Sequence, residues 1–148
     1  MIREETDAAL INSISNMAEV LPFISFQGKL DWQAAIDSLD CIVVSNGEDA
    51  VGVFERTADR TYQTHTIFAP SCRGKRALEA GRAMLDFMVP AHADHIWGYT
   101  PIANPQARWF NRKLGAQLIG QDCLPNEGMV EVFQYPPDGA SEEWSPPS

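Results

Sequence analysis

The stretch from Thr61 to Gly115 constrains this chain more than any other. β-Branched and aromatic residues, Thr61-Tyr62-Gln63-Thr64-His65-Thr66-Ile67-Phe68, read as a central strand that Pro70 stops. A basic turn follows, Arg73-Gly74-Lys75-Arg76, then a helical pattern, a short strand, and a second helix opened by Asn104-Pro105. A strand that feeds a basic, glycine-containing turn at a helix start makes a site for phosphate groups. The first amides of a helix have no partner inside it and point at whatever lies beyond. Neighbouring Arg and Lys side chains add charge-assisted hydrogen bonds.

The spacing predicts a helix over 75–88, with Ala77, Leu78, Gly81, Leu85 and Met88 as its apolar stripe and Arg82 and Asp86 facing out. Gly81 costs about 1 kcal/mol of helix stability relative to Ala, a cost acceptable where a helix must lie close on a sheet. His95 to Thr100 is the next strand. Asn104 is an N-cap residue and Pro105 takes the favoured first helical position, with Gly115 as the glycine that ends the helix. Upstream, Ile2 to Glu4 forms a short strand, and a helix starts at Asp7 with Ala8, Leu10, Ile11 and Ile14 on one face. Asp31 to Leu39 is a second helix with Trp32, Ala35, Ile36 and Leu39 on one side. Cys41–Val44 and Val51–Phe54 flank Asn46-Gly47 as a hairpin. Residues 116–121 and 129–135 make a final hairpin across Pro125-Asn126. Residues 1–135 read as a single domain, and 136–148 as a mobile, acidic, Pro- and Ser-rich tail.

Charge is unevenly placed. Residues 73–113 carry seven basic and three acidic residues, a local +4, while the remainder holds four basic against seventeen acidic, a local −13. An acidic body argues against general nucleic-acid binding, and a confined basic patch fits a small polyanion. No apolar run reaches the roughly 18 residues of a membrane span. Cys41, Cys72 and Cys123 are widely spaced, match no metal-binding pattern, and suggest reduced thiols in a cytoplasm. Cys72 adjoins the cationic turn, which would lower its pKa.

Two motifs carry a family resemblance. Arg73-Gly74-Lys75-Arg76-Ala77-Leu78 resembles a pyrophosphate-binding signature, and Asn104-Pro105-Gln106-Ala107 through Leu114-Gly115-Ala116 resembles the helix that follows it in the GCN5-related N-acetyltransferase (GNAT) superfamily. The order and spacing suit that superfamily across roughly residues 40–135, and His65-Thr66, Phe68, Arg73-Gly74-Lys75 and Ala77 to Ala80 are similar to compact GNAT-like proteins of bacteriophages. The resemblance implies an α/β (α+β) fold, a mixed, mostly antiparallel central sheet with helices on both faces. It implies an acyl-CoA-dependent N-acetyltransferase moving an acetyl group from acetyl-CoA to an unknown amine, small molecule or protein. Binding of nucleic acid or membrane is not implied, and a homodimer is compatible with it. The alternative is a catalytically inactive phage protein of the same fold, acting in particle assembly or on a host protein. The location follows as the cytoplasm, a host's if the source is a phage, with virion association open.

On this resemblance, Ile67 and Phe68 would bind pantetheine through their backbone. The amides from Gly74 through Lys75, Arg76 and Ala77 to Leu78, with the side chains of Arg73 and Lys75, would hold the diphosphate. Arg76 would be tolerated at a position that is usually small if it points outward to the phosphates. Asn104 is a cap that can also touch the cofactor. His65 is the candidate base, since an imidazole titrates near neutrality; the competing role is a strand histidine held within the sheet. Tyr99 is the candidate acid for the leaving thiolate, or else a packed aromatic. Four positions depart from the pattern: Arg76 and Leu78 replace small residues, Asn111 stands where a tyrosine commonly protonates the thiolate, and Tyr62 falls where a glutamate base is often found.

Overall fold

The computed structural model describes residues 1–24 and 29–135. The tail expected over 136–148 lies outside the described residues. In chain order the elements are β1 (Arg3–Glu4), α1 (Ala9–Ser15), α2 (Leu21–Ile24), α3 (Gln33–Asp37), β2 (Cys41–Ser45), β3 (Ala50–Ala58), β4 (Thr61–Phe68), α4 (Lys75–Met88), β5 (His95–Pro101), α5 (Pro105–Lys113), β6 (Gln117–Leu124) and β7 (Gly128–Tyr135). The strands form one sheet in the order β1-β2-β3-β4-β5-β7-β6. Every neighbouring pair is antiparallel except β4 and β5, which are parallel and joined through α4.

Strand alternation divides the apolar residues between two faces. Val43, Val51, Val53 and Ile67 meet Ile11, Ile14 and Val20 on one face. Val44, Phe54 and Ile96 meet Ala77, Ala80, Met84 and Phe110 on the other. The sheet is therefore buried on both sides, by α1–α3 on one and by α4 and α5 on the other.

Several local expectations change. Gly81 does sit in a close approach, but to α5: a Cβ there would come within 2.7 Å of Phe110 Cζ and 3.0 Å of Leu114 Cδ1. The glycine that lets α4 lie on the sheet is Gly52 of β3, whose added Cβ would meet Met84 Sδ at 2.8 Å. The stripe of α4 is Ala77, Ala80, Gly81, Met84 and Met88, with Leu78 and Leu85 at its half-buried margin. The helix expected over 31–39 ends at Asp37, because Ser38 is extended (φ −77°, ψ 133°), and this leaves Leu39 fully exposed. The β2–β3 connection spans 46–49 rather than two residues. Asn46 Oδ1 accepts from the amides of Glu48, Asp49 and Ala50 at 3.0–3.1 Å, and Gly47 supplies the positive φ of 81°.

The feature that positions a site is the limited pairing of β4 with β5. They register only at Thr61↔His95, Tyr62↔Ile96 and Gln63↔Trp97. Beyond that point β4 stays bonded to β3 as far as Phe68, and β5 to β7 as far as Pro101. The two inner edges, 64–68 and 98–101, diverge and leave backbone polar groups facing a gap. Unpaired backbone groups need partners, so the gap suits an extended ligand carrying amides.

Candidate functional site

A cavity of about 1030 Å³ fills the gap and is lined by residues from both faces of the sheet. Of the residues singled out in the sequence, His65, Ile67, Phe68, Arg73, Gly74, Ala77, Tyr99 and Asn104 line it, whereas Lys75, Arg76 and Leu78 do not. Phe68 and Phe110 close its α5 side with an edge-to-face contact, ring centroids 5.1 Å apart.

The turn before α4 is held from three directions. Gly74 takes φ 58° and ψ −128°, a conformation essentially reserved for glycine, and α4 begins at the next residue. Arg73 folds back so that Nη1 donates to the carbonyls of Phe68, Ala69 and Cys72 at 3.1, 2.9 and 3.1 Å. Asp49, in the β2–β3 turn, accepts from Ser71 Oγ at 2.9 Å and from Arg76 Nε and Nη2 at 2.9 and 3.0 Å. Arg76 also reaches Glu48 at 3.0 Å. The Arg76 guanidinium holds the Asp49 carboxyl down to about 2, and that carboxylate in turn raises the pKa of Arg76.

These contacts correct the expectation for Arg76. Its side chain clamps the hairpin turn to the start of α4 instead of pointing outward. Leu78 is corrected too: its amide already donates to Gly74 O at 3.1 Å, and its side chain packs on the core, so the free amides at the helix start belong to 75–77. Lys75 is exposed, and among the described residues its ammonium has one ion pair, a 3.9 Å contact to Glu79, so it can swing toward the turn. Arg108, another member of the basic segment, pairs with the buried Glu131 of β7. Asn104 caps α5 through a 3.2 Å bond from the Ala107 amide.

On the α1 side of the sheet, His65 of β4 stands beside Glu55 of β3. Burial pushes the His65 imidazole below its ordinary 6.5, against an opposing pull from Glu55. Tyr99 of β5 lies on the same face, its phenol raised by burial and by the charges of Glu127 and Glu55. Glu19, Glu55 and Glu127 all line this half of the cavity. On the α5 side, the Tyr135 hydroxyl donates to Asn111 Oδ1, and Asn111 Nδ2 donates to Thr100 Oγ1 at 2.8 Å. Thr64 Oγ1, at the narrow end, is buried with no partner among the described residues. Cys72 is fully buried, and that burial pushes its thiol up to about 11, the reverse of the lowering expected beside a basic turn.

Sequence reasoning missed Asp49, Glu55 and the Tyr135–Asn111–Thr100 chain. Each joins residues far apart in the sequence, across strands whose pairing no local motif announces. Among the described residues no group of three or more His, Cys, Asp or Glu side chains could hold a metal, and no helix is long and apolar enough to cross a membrane.

No protein-family model matches the chain, and no curated protein matches it by sequence. Solved structures match it in shape. An aminoglycoside acetyltransferase AAC(6′)-Ib in complex with coenzyme A and kanamycin superimposes with a TM-score of 0.74 at 15% identity, over 93% of this chain and 95% of that one. YncA of Salmonella typhimurium with acetyl-CoA gives 0.70 at 17% identity, over 100% and 98%. A spermidine N-acetyltransferase SpeG variant from Vibrio cholerae gives 0.67 at 13% identity, over 90% and 93%. The chain therefore has the fold of the GNAT acetyltransferases, as the two sequence motifs implied.

Proposed function

We propose that this protein is an acyl-CoA-dependent N-acetyltransferase acting on a cationic amine. The observation that carries the reading is the polarity of one continuous cavity. Its α4 end is lined by Arg73, Gly74 and Ala77, with Lys75 and the helix-start amides of 75 and 76 next to it, all donors suited to a diphosphate. Its opposite end presents Glu19, Glu55 and Glu127 with His65 and Tyr99, acceptors suited to an ammonium group. Between them run the unpaired edges of β4 and β5, a match for an amide-bearing linker laid in like an extra strand. Acetyl-CoA bound there supplies a thioester to be attacked by the amine.

The chain's own residues then have distinct tasks. Ile67 and Phe68 offer backbone groups to the linker. The start of α4, fixed by the Asp49–Arg76 clamp and the Arg73 clasp, holds the phosphates without rearrangement. Glu55 and Glu127 draw the amine in as a cation. His65, kept neutral by burial near pH 7, takes the proton that the ammonium must lose before it can attack. Bringing both reactants into one cleft supplies much of the rate.

The test is thiol release from acetyl-CoA with spermidine and with kanamycin as acceptors. Turnover with either, and a KM for the amine raised about tenfold by Glu55→Gln, are the expected results. Tight binding of acetyl-CoA with no turnover of any amine would favour the second reading, a GNAT fold serving as a binding or assembly protein. The absence of a tyrosine at Asn111 is the observation behind that alternative.

A further inference from the structure

We infer that Thr100 is the hydrogen-bond donor to the sulfur of the bound thioester, and that Asn111 and Tyr135 are the positioning residues that aim it. The inference rests on the cleft being a CoA site. It starts from the direction of each bond in the chain. The Tyr135 phenol is raised by burial and stays protonated at any working pH, so its O–H donates to Asn111 Oδ1. That fixes the amide: its carbonyl end is engaged and its NH2 end faces Thr100, donating to Oγ1 at 2.8 Å. A hydroxyl whose oxygen receives a hydrogen must direct its own hydrogen elsewhere. No acceptor for the Thr100 hydroxyl stands among the described residues, and Thr100 lies on the unpaired stretch of β5 lining the cavity.

Position selects the sulfur. A ligand with its phosphates at Gly74 runs inward toward the vertex at Gln63 and Trp97, so its acyl end lies deepest. Continued at the Gln63↔Trp97 register, His65 stands level with Tyr99 and Thr66 with Thr100, so a sulfur one bond outward of an acyl carbon held beside His65 comes within reach of the Thr100 hydroxyl, about one residue further along the strand. His65 passes the ammonium's first proton on to water; then, as the amine's C–N bond forms and the C–S bond breaks, the electron pair goes to sulfur, where the Thr100 O–H bonds it, and the second proton on nitrogen goes to the neutral His65. A threonine bonded to a thiolate lowers the energy of the charged form without giving up its proton, which is why no acidic side chain is required there.

The experiment is a titration of CoA itself, bound to the full chain, followed by the carbon-13 shift of the carbon next to sulfur. Thr100→Val should raise the bound thiol's pKa by about one unit relative to wild type, the size of one hydrogen bond to a charged group. Thr100→Ser should keep the wild-type value, and Tyr135→Phe should move partway toward Thr100→Val. CoA affinity, measured alongside by calorimetry, should stay within about twofold for all three. Equal thiol titration in wild type and Thr100→Val, or in wild type and Tyr135→Phe, overturns the inference while leaving the CoA site intact. Failure of the wild type to bind CoA removes the functional reading itself.

Discussion

Replacing Gly74 by Ala isolates what the backbone at the start of α4 contributes. A Cβ at this position meets nothing within 4 Å, so there is no clash to relieve and no neighbour to move. The whole cost is conformational, since φ 58° with ψ −128° is open to glycine and nearly closed to alanine. Strain of that kind costs about 1–3 kcal/mol. The smaller freedom of alanine in the unfolded chain returns about 0.4–1 kcal/mol, so the net loss is about 0.5–2 kcal/mol. Urea denaturation should show that loss as a lower midpoint at unchanged slope. The variant escapes strain only by rotating the peptide that aims the first amides, so acetyl-CoA affinity should also fall, about ten- to hundredfold for one or two charged hydrogen bonds. Gly115→Ala is the control. Gly115 has φ 87° and equally open space, but lies after α5, so the same stability loss should leave affinity unchanged. Full stability and full affinity in Gly74→Ala would refute the argument, and so would equal affinity losses in both variants.

The other expectations concern single side chains. Asp49→Asn should weaken both stability, by about 1–3 kcal/mol, and acetyl-CoA affinity, because it loosens the tie between the hairpin turn and α4. Asp49 is depressed in the folded protein, so its contribution is complete above the ordinary carboxylate value of 3.8 and disappears as pH falls toward 2; acid unfolding of the variant should lack that component. His65→Ala should lower kcat at least about tenfold with unchanged CoA affinity. Because burial lowers the imidazole's pKa, the acid limb of the wild-type rate should lie below pH 6.5 and vanish in the variant. Lys75→Glu should weaken acetyl-CoA binding and flatten its salt dependence without altering stability, since the side chain is exposed and barely paired.

Local chemistry made part of this readable in the chain. The β-branched run 61–68, the Asn104-Pro105 helix start and the basic glycine turn each specify their own conformation, and each was found where expected. Charge counting along the chain was a poorer guide. It counted Arg76 and Arg108 in a basic patch fit for a small polyanion, whereas both are engaged by carboxylates from β-turn and strand positions remote in sequence, Asp49 and Glu131. Gly81 announced a close contact but not its partner, because helix periodicity fixes a face and not what the face meets. Asn111 read as a missing acid; only the pairing of β7 beside β5 brings Tyr135 to it. The pairing Ile96↔Tyr135 depends on which strands become neighbours, a property of the whole sheet.

Thermal unfolding with and without acetyl-CoA probes the cleft between β4 and β5 most directly. At a hundredfold excess over its dissociation constant the ligand should add about 2.7 kcal/mol to stability, raising the midpoint by roughly 5–10 °C, and Gly74→Ala should lose about half or more of that gain. An unchanged midpoint at millimolar acetyl-CoA would contradict the assignment of this cleft.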